Sequence, residues 1–124
     1  MAKEKRANKS GILADVVIKG ILEKKGKDIV SLNLSKLPNA VSNFFIICHG
    51  TSKPQVEAIA KSVEDEARNT LQRKPWHKEG SENAEWILID FADVVVHIFQ
   101  EESRMFYKLE DLWADAIIKK YESE

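Results

Sequence analysis

An intrachain disulfide is excluded at the outset, because Cys48 is the only cysteine among the 124 residues. A lone cysteine also excludes a zinc site built on cysteine pairs. Glycine and proline are scarce, at five and three residues, while 44% of the chain is hydrophobic and 31% charged. That balance excludes collagen-like, low-complexity and wholly disordered chains. No stretch approaches the roughly 20 consecutive apolar residues of a membrane span. The basic start, with Lys3, Lys5, Arg6 and Lys9, is not followed by an apolar run of signal-peptide length. Neither sign of charge dominates either. Lys and Arg number 19 against 20 Asp and Glu, a formal net charge of -1, whereas a dedicated nucleic-acid binder carries a large basic excess. The length suits one domain. The expectation is a soluble cytoplasmic protein with no membrane segment and no direct nucleic-acid readout. Residues 1–9 are expected to be a basic flexible tail, 10–118 the folded domain, and 119–124 a polar tail.

Hydrophobic spacing supplies the elements. Leu13, Val16, Val17, Gly20 and Ile21 recur at helical intervals, so a first amphipathic helix is expected over about 10–25, with Gly26 as its left-handed terminator. From Asp28 the period becomes two: Val30, Leu32 and Leu34 share one face and Ser31 and Asn33 the other, a half-buried strand. The apolar run 44–48 suits a strand covered on both faces. Val56, Ile59, Ala60, Val63, Ala67 and Leu71 then mark a long helix, with Ser52 and Gln55 spaced as a capping box and Pro54 in the first turn. A short edge strand is expected around Trp76. Residues 86–91 and 94–99 are two strands so close that they form a tight antiparallel hairpin. Leu109, Leu112, Trp113, Ala116 and Ile117 form one stripe of a closing helix, with Ser103 as a candidate cap. The fold class is α/β, a mixed sheet of four to five strands with helices packed on it.

Each candidate for chemistry has a plainer explanation. Gly50-Thr51-Ser52 lies between strand and helix, where backbone N–H groups can hold an anion. No P-loop or dinucleotide fingerprint accompanies it, and a glycine turn before a capped helix is the favoured explanation. Nucleotidyltransferases place Gly-Ser at such a point, but they also need an alternating pair of carboxylates to hold magnesium. No Asp-x-Asp occurs downstream here. Asp90 and Asp93 bracket the hairpin with a spacing that opposes a shared metal, and an Asp in a turn commonly accepts its own backbone N–H groups. His49, His77 and His97 are scattered, and His97 reads as a satisfied, semi-buried strand residue. Cys48 and His49 are neighbours on a strand and point to opposite faces, so they cannot form a dyad. Trp113 reads as core. Trp86, Phe106 and Tyr107 beside Arg104 have the composition of an interface hot spot.

The segment from Phe45 through Ile46, Ile47, Cys48, His49, Gly50, Thr51 and Ser52, followed by Gln55-Val56 and Ala58-Ile59-Ala60, is similar to the ribosomal silencing factor (Iojap) family. A longer signature follows in order. It comprises Glu79-Gly80, Trp86-Ile87-Leu88-Ile89-Asp90, Asp93-Val94-Val95-Val96-His97-Ile98-Phe99, Glu101-Glu102-Ser103-Arg104, Tyr107-Lys108-Leu109-Glu110 and Leu112-Trp113. The resemblance covers roughly residues 10–116. It departs from the family at three places: Asn43 stands for a frequent Asp, His49 for a usual Thr, and Ala92 for a usual Gly before Asp93. If position 92 needs positive φ, alanine costs roughly 1 kcal/mol there.

The resemblance implies a fold similar to the nucleotidyltransferases without their catalytic carboxylates, and a non-enzymatic protein needing no metal or cofactor. It implies binding to the large ribosomal subunit through its fourteenth protein, so that the small subunit is sterically kept from joining and translation is silenced when nutrients are short. It is also compatible with a homodimer of the free protein. Trp86, Asp90, Asp93, Arg104, Tyr107 and Glu110 match motif positions expected on the partner-facing surface or in its support. A large-subunit assembly factor would use the same contact, and a nucleotidyltransferase-type enzyme is the remaining rival.

Overall fold

The computed structural model describes residues 2–40 and 42–122, with side chains from residue 9 onward. In chain order the elements are α1 (Ala2–Glu23), β1 (Lys27–Asn33), β2 (Phe44–Gly50), α2 (Lys53–Leu71), β3 (His77–Glu79), β4 (Trp86–Asp90), β5 (Val94–Gln100), α3 (Glu101–Tyr107), a 3-10 helix (Leu109–Trp113) and β6 (Ile117–Tyr121). Among the described residues the strands form one sheet of six, in the order β3-β4-β5-β2-β1-β6. The expected four to five strands are corrected to six. β2 and β5 are parallel and the remaining pairs antiparallel. A parallel pair needs a long crossover, and α2 with β3 and β4 supplies it. Among the described residues no helix is long and apolar enough to cross a membrane.

The sheet buries both faces, unequally. On one face Leu13, Val17 and Ile21 of α1 and Val56, Ile59 and Val63 of α2 pack on Ile29, Ile46, Cys48, Ile87, Ile89, Val94, Val96 and Ile98. The two helices approach closely at Gly20, where an added Cβ would lie 3.1 Å from the Ser62 carbonyl oxygen. The Ser62 hydroxyl donates to the Gly20 carbonyl at 2.8 Å. The second face carries Val30, Leu32, Phe45, Ile47, Val95 and Phe99, covered by Leu34, Leu109 and Trp113 from short irregular segments. β1 is therefore buried on both faces, where a half-buried strand was expected, because α1 lies over Ile29.

The helix α2 begins and ends as its sequence chemistry requires. The Ser52 hydroxyl accepts from the Gln55 N–H, Pro54 sits in the first turn, and Gln72 closes the helix at φ 53. Gly26 is not the left-handed residue after α1; Lys25 takes that conformation at φ 59. Glycine is required at 26 for a different reason, since a Cβ there would collide with the Ile21 side chain. The first helix starts at Ala2, so residues 2–9 of the expected tail are helical, and Met1 and the side chains of residues 2–8 lie outside the described residues.

The largest departure is at the C-terminal end. A single closing helix is replaced by α3, a 3-10 turn and the edge strand β6. Gln100, not Ser103, stands at the N-cap of α3, and Lys108 at φ 46 ends that helix. The 3,1,3 spacing of Leu109, Leu112, Trp113 and Ala116 fits one helix turn as well as a whole helix. Beyond it, the β-branched pair Ile117-Ile118 joins β1 through Leu32 and Asn33. Residues 119–121 of the expected polar tail thus belong to a strand, and residues 123–124 lie outside the described residues.

The hairpin connection holds Ala92 at φ 77, the left-handed region in which a Cβ is strained. Replacing Ala92 with Gly removes that strain and restores freedom to the unfolded chain, two opposed effects of which the first is larger. Ala92→Gly is expected to raise unfolding free energy by roughly 0.5–1 kcal/mol, read as a higher urea midpoint with an unchanged slope.

Candidate functional site

The six residues singled out from the sequence do not form one cluster. Trp86 opens β4 and lies across from Phe99 at the end of β5, beside α3 and the 3-10 turn. Asp90 ends β4 opposite Val95, and Asp93 lies in the hairpin connection beyond it. Strand alternation places Trp86, Leu88 and Asp90 on the thinly covered face. The structure thus gathers Trp86, Arg104, Tyr107 and Glu110 at one end of the sheet and leaves the two aspartates at the other.

The two aspartates serve the fold. Asp90 accepts the Ala92 N–H at 2.7 Å, the turn-stabilising role weighed for it above. Asp93 is a junction between four segments. Its carboxylate accepts from the Ser10 hydroxyl of α1 at 2.9 Å and from Arg73 beyond α2 at 2.8 Å. Its carbonyl accepts the N–H groups of Asn43 and Phe44, and the Asn43 amide donates to the Ser10 hydroxyl. Burial alone would raise the Asp93 carboxyl, but the hydrogen bonds from Arg73 and Ser10 reverse this and hold it below its ordinary value.

Arg104 and Glu110 also turn inward. Arg104 has only 12% of its side chain exposed. It donates to Glu110 at 2.8 Å, to the Lys27 carbonyl at 3.3 Å and to His49 Nδ1 at 2.9 Å. Arginine has no acceptor, so His49 must offer a lone pair at Nδ1. Burial and then the Arg104 charge push the His49 pKa below its ordinary value, which keeps that lone pair free. The guanidinium thereby ties α3 to the 3-10 turn, to the end of β2 and to the start of β1.

The exposed part of the site is aromatic and apolar. Trp86 stacks on Phe99 at 4.8 Å between centroids and meets Tyr107 at 4.9 Å. Tyr107 is 51% exposed, and it is flanked by Phe106 at 80% and Met105 at 67%, with Leu112 at 73% on the adjoining turn. Leu112 was expected in the core stripe of a closing helix; the 3-10 turn rotates it outward. Met105 carried no periodic signal and was not identifiable from the sequence. Trp113 packs on the core as expected, edge-on to Phe45 at 5.6 Å. Gly80 supports the Trp86 backbone: it has φ 86, and a Cβ there would collide with the Trp86 carbonyl.

Two of the N–H groups around Gly50-Thr51-Ser52 are already engaged. Gln55 Oε1 accepts the Thr51 N–H at 2.8 Å, and Ser52 occupies the Gln55 N–H. The Gln55 amide nitrogen in turn donates to the carbonyls of Lys24 and Lys25, tying the start of α2 to the end of α1. Cys48 is fully buried, and burial pushes its thiol up to about 12, as an inert core residue requires.

His97 is the residue that sequence reasoning undervalued. It accepts the Trp86 indole N–H at Nδ1, 3.1 Å away, so it is only half satisfied: buried Nε2 has no partner. An unpartnered buried donor costs about 1–3 kcal/mol. Burial lowers the His97 pKa to about 4 from an ordinary 6.5. Between those values the unfolded chain binds a proton that the native state refuses, so native stability falls as pH drops through this window. The contribution, present in full above pH 6.5, amounts to about 3 kcal/mol and is lost by pH 4. Urea unfolding at pH 7 and pH 4.5 should show the decline, and His97→Asn should flatten it.

A family model described as RsfS, ribosomal silencing factor during starvation, matches residues 6–124. The ribosomal silencing factor RsfS of Bacillus subtilis is 43% identical over 95 residues, which cover 76% of this chain and 78% of that protein. A solved structure of a Chromobacterium violaceum protein superposes with a TM-score of 0.79 at 35% identity, covering 84% of this chain and 85% of that one. A more distant relative is the mouse mitochondrial assembly of ribosomal large subunit protein 1, 26% identical over 101 residues, covering 80% of this chain and 44% of that protein. With a family match over nearly its whole length and relatives of this identity and coverage, the chain belongs to the ribosomal silencing factor (RsfS) family.

Proposed function

We propose that this chain represses translation by occupancy: it docks on the large ribosomal subunit, through that subunit's fourteenth protein, and keeps the small subunit from joining. The observation that carries the reading is the exposed patch of Tyr107, Phe106, Met105 and Leu112 around half-buried Trp86. Exposed apolar side chains grouped with aromatic anchors have the composition of a protein interface. Acidic residues lie beside it, with Glu101 and Glu102 in the first turn of α3 and Asp111 in the 3-10 turn. Carboxylates at the rim complement the basic surfaces of ribosomal proteins and speed encounter. Such a protein acts in the cytoplasm without metal, cofactor or bond-making step.

A second reading, that the same contact serves assembly of the large subunit, is favoured by the name of the mouse relative. Precursor subunits accumulating in a deletion strain would support assembly. Normal subunits with failed survival of starvation would support silencing.

Co-sedimentation with isolated large subunits, small subunits and joined ribosomes tests the docking reading directly. Binding to large subunits alone is expected, with joined ribosomes lost when the protein is added before small subunits. Trp86→Ala should weaken binding by at least about 2 kcal/mol; undiminished binding by a folded variant would refute the patch. Asp93→Ala should behave oppositely. Loss of its junction is expected to cost about 2–3 kcal/mol of stability, while the affinity of the folded fraction stays unchanged.

A further inference from the structure

We propose that His97 is a positioning residue for Trp86: its neutral imidazole accepts the indole N–H and so sets the orientation in which the ring meets a partner. The inference rests on the docking surface described above and extends it to a residue no partner touches, since His97 is buried.

The chemistry of the pair fixes the protonation state. An indole nitrogen only donates, so the 3.1 Å contact to His97 Nδ1 requires a lone pair there and places the imidazole proton on Nε2. Among the contacts of the Trp86 ring, this is the directional one. Stacking on Phe99 at an interplanar angle of 30° and the tilted contact with Tyr107 allow the ring to slide or turn over in its own plane. A hydrogen bond does not, because its strength falls steeply with misalignment.

His97 is itself held firmly enough to act as a reference point. It lies in β5 with Ile47 across from it in β2 and Leu88 across from it in β4. The Phe45 ring packs against it at 4.9 Å. A phenylalanine or leucine would fill this place without leaving Nε2 unpartnered. What imidazole adds to the position is the Nδ1 acceptor, and the group that uses it is Trp86. A ring already fixed in its bound orientation loses less freedom on docking, which raises affinity without a new contact.

Two substitutions separate the acceptor from the ring. His97→Phe keeps an aromatic ring and removes the acceptor; His97→Asn keeps an acceptor at the place of Nδ1 and removes the ring. His97→Leu serves as a second acceptor-free variant if His97→Phe does not fold. In 15N-labelled protein the Trp86 indole N–H signal, assigned with Trp86→Phe, is expected to be shifted and slow to exchange in the wild type and in His97→Asn. It should move and exchange quickly in His97→Phe. Affinity for purified large subunits should fall about fivefold to tenfold in His97→Phe and recover to within about twofold in His97→Asn. In a Trp86→Phe background, His97→Phe should have no further effect on binding, which a general packing role would not predict. An unchanged indole signal in His97→Phe overturns the positioning role. So does a loss of affinity in Trp86→Phe with none in His97→Phe. No loss in either variant overturns the docking reading, and the positioning role falls with it.

Discussion

The parallel pairing of β2 with β5 is the constraint on which the other elements depend. Both strands are buried along nearly their whole length, so apolar material must cover each face at the centre of the sheet. The chain between them has to leave the sheet and return, and α2 does so as a capped, amphipathic helix whose apolar stripe lands on one face. With α1 beside it, that face is closed by two long helices. The hairpin of β4 and β5 then brings β4 to the outer side of β5, and β1 flanks β2 on the other. The remaining face receives only the short segments around Leu34, Leu109 and Trp113.

This asymmetry creates the site. A face closed by a loop and a single 3-10 turn cannot be covered out to β4, so Trp86 stays half-exposed at its margin. The segment after β5 must also turn back across that face, which presents Phe106 and Met105 outward. Arg104 stabilises this turn by joining Glu110, the Lys27 carbonyl and His49. Buried polar ties of this kind rigidify the aromatic margin they hold. At the start of α2 the Thr51 N–H is likewise taken by the Gln55 side chain.

The Asp93 junction supports the opposite end. It joins the start of β2, the region beyond α2, α1 and the hairpin through one carboxylate and one carbonyl. Its neighbour Ala92 accepts a left-handed backbone, so the connection is held by side-chain bonds at a position where glycine would be relaxed. Charges that look like a docking rim in the sequence are, in Asp93, Arg104 and Glu110, interior fasteners.

Local patterns determined much of the fold from the sequence alone. The apolar runs of β2 and β5, the Ser52–Gln55 cap of α2 and the tight β4–β5 hairpin were legible because each signal lies within a few residues of itself. The aromatic composition around Trp86 and Tyr107 was equally visible, and folding brings the two rings together. Tertiary structure decided the rest. Whether the chain after Tyr107 continues as a helix was settled by the left-handed Lys108 and by β1, a pairing partner more than 80 residues away for Ile117 and Ile118. Burial on both faces of β1 required α1 to be in place. The sorting of the six candidate residues into surface and support depended on Ser10, Lys27, His49 and Arg73, groups remote in sequence. A charge becomes a fastener or a rim according to what folding brings within hydrogen-bond distance, and periodicity carries no record of that.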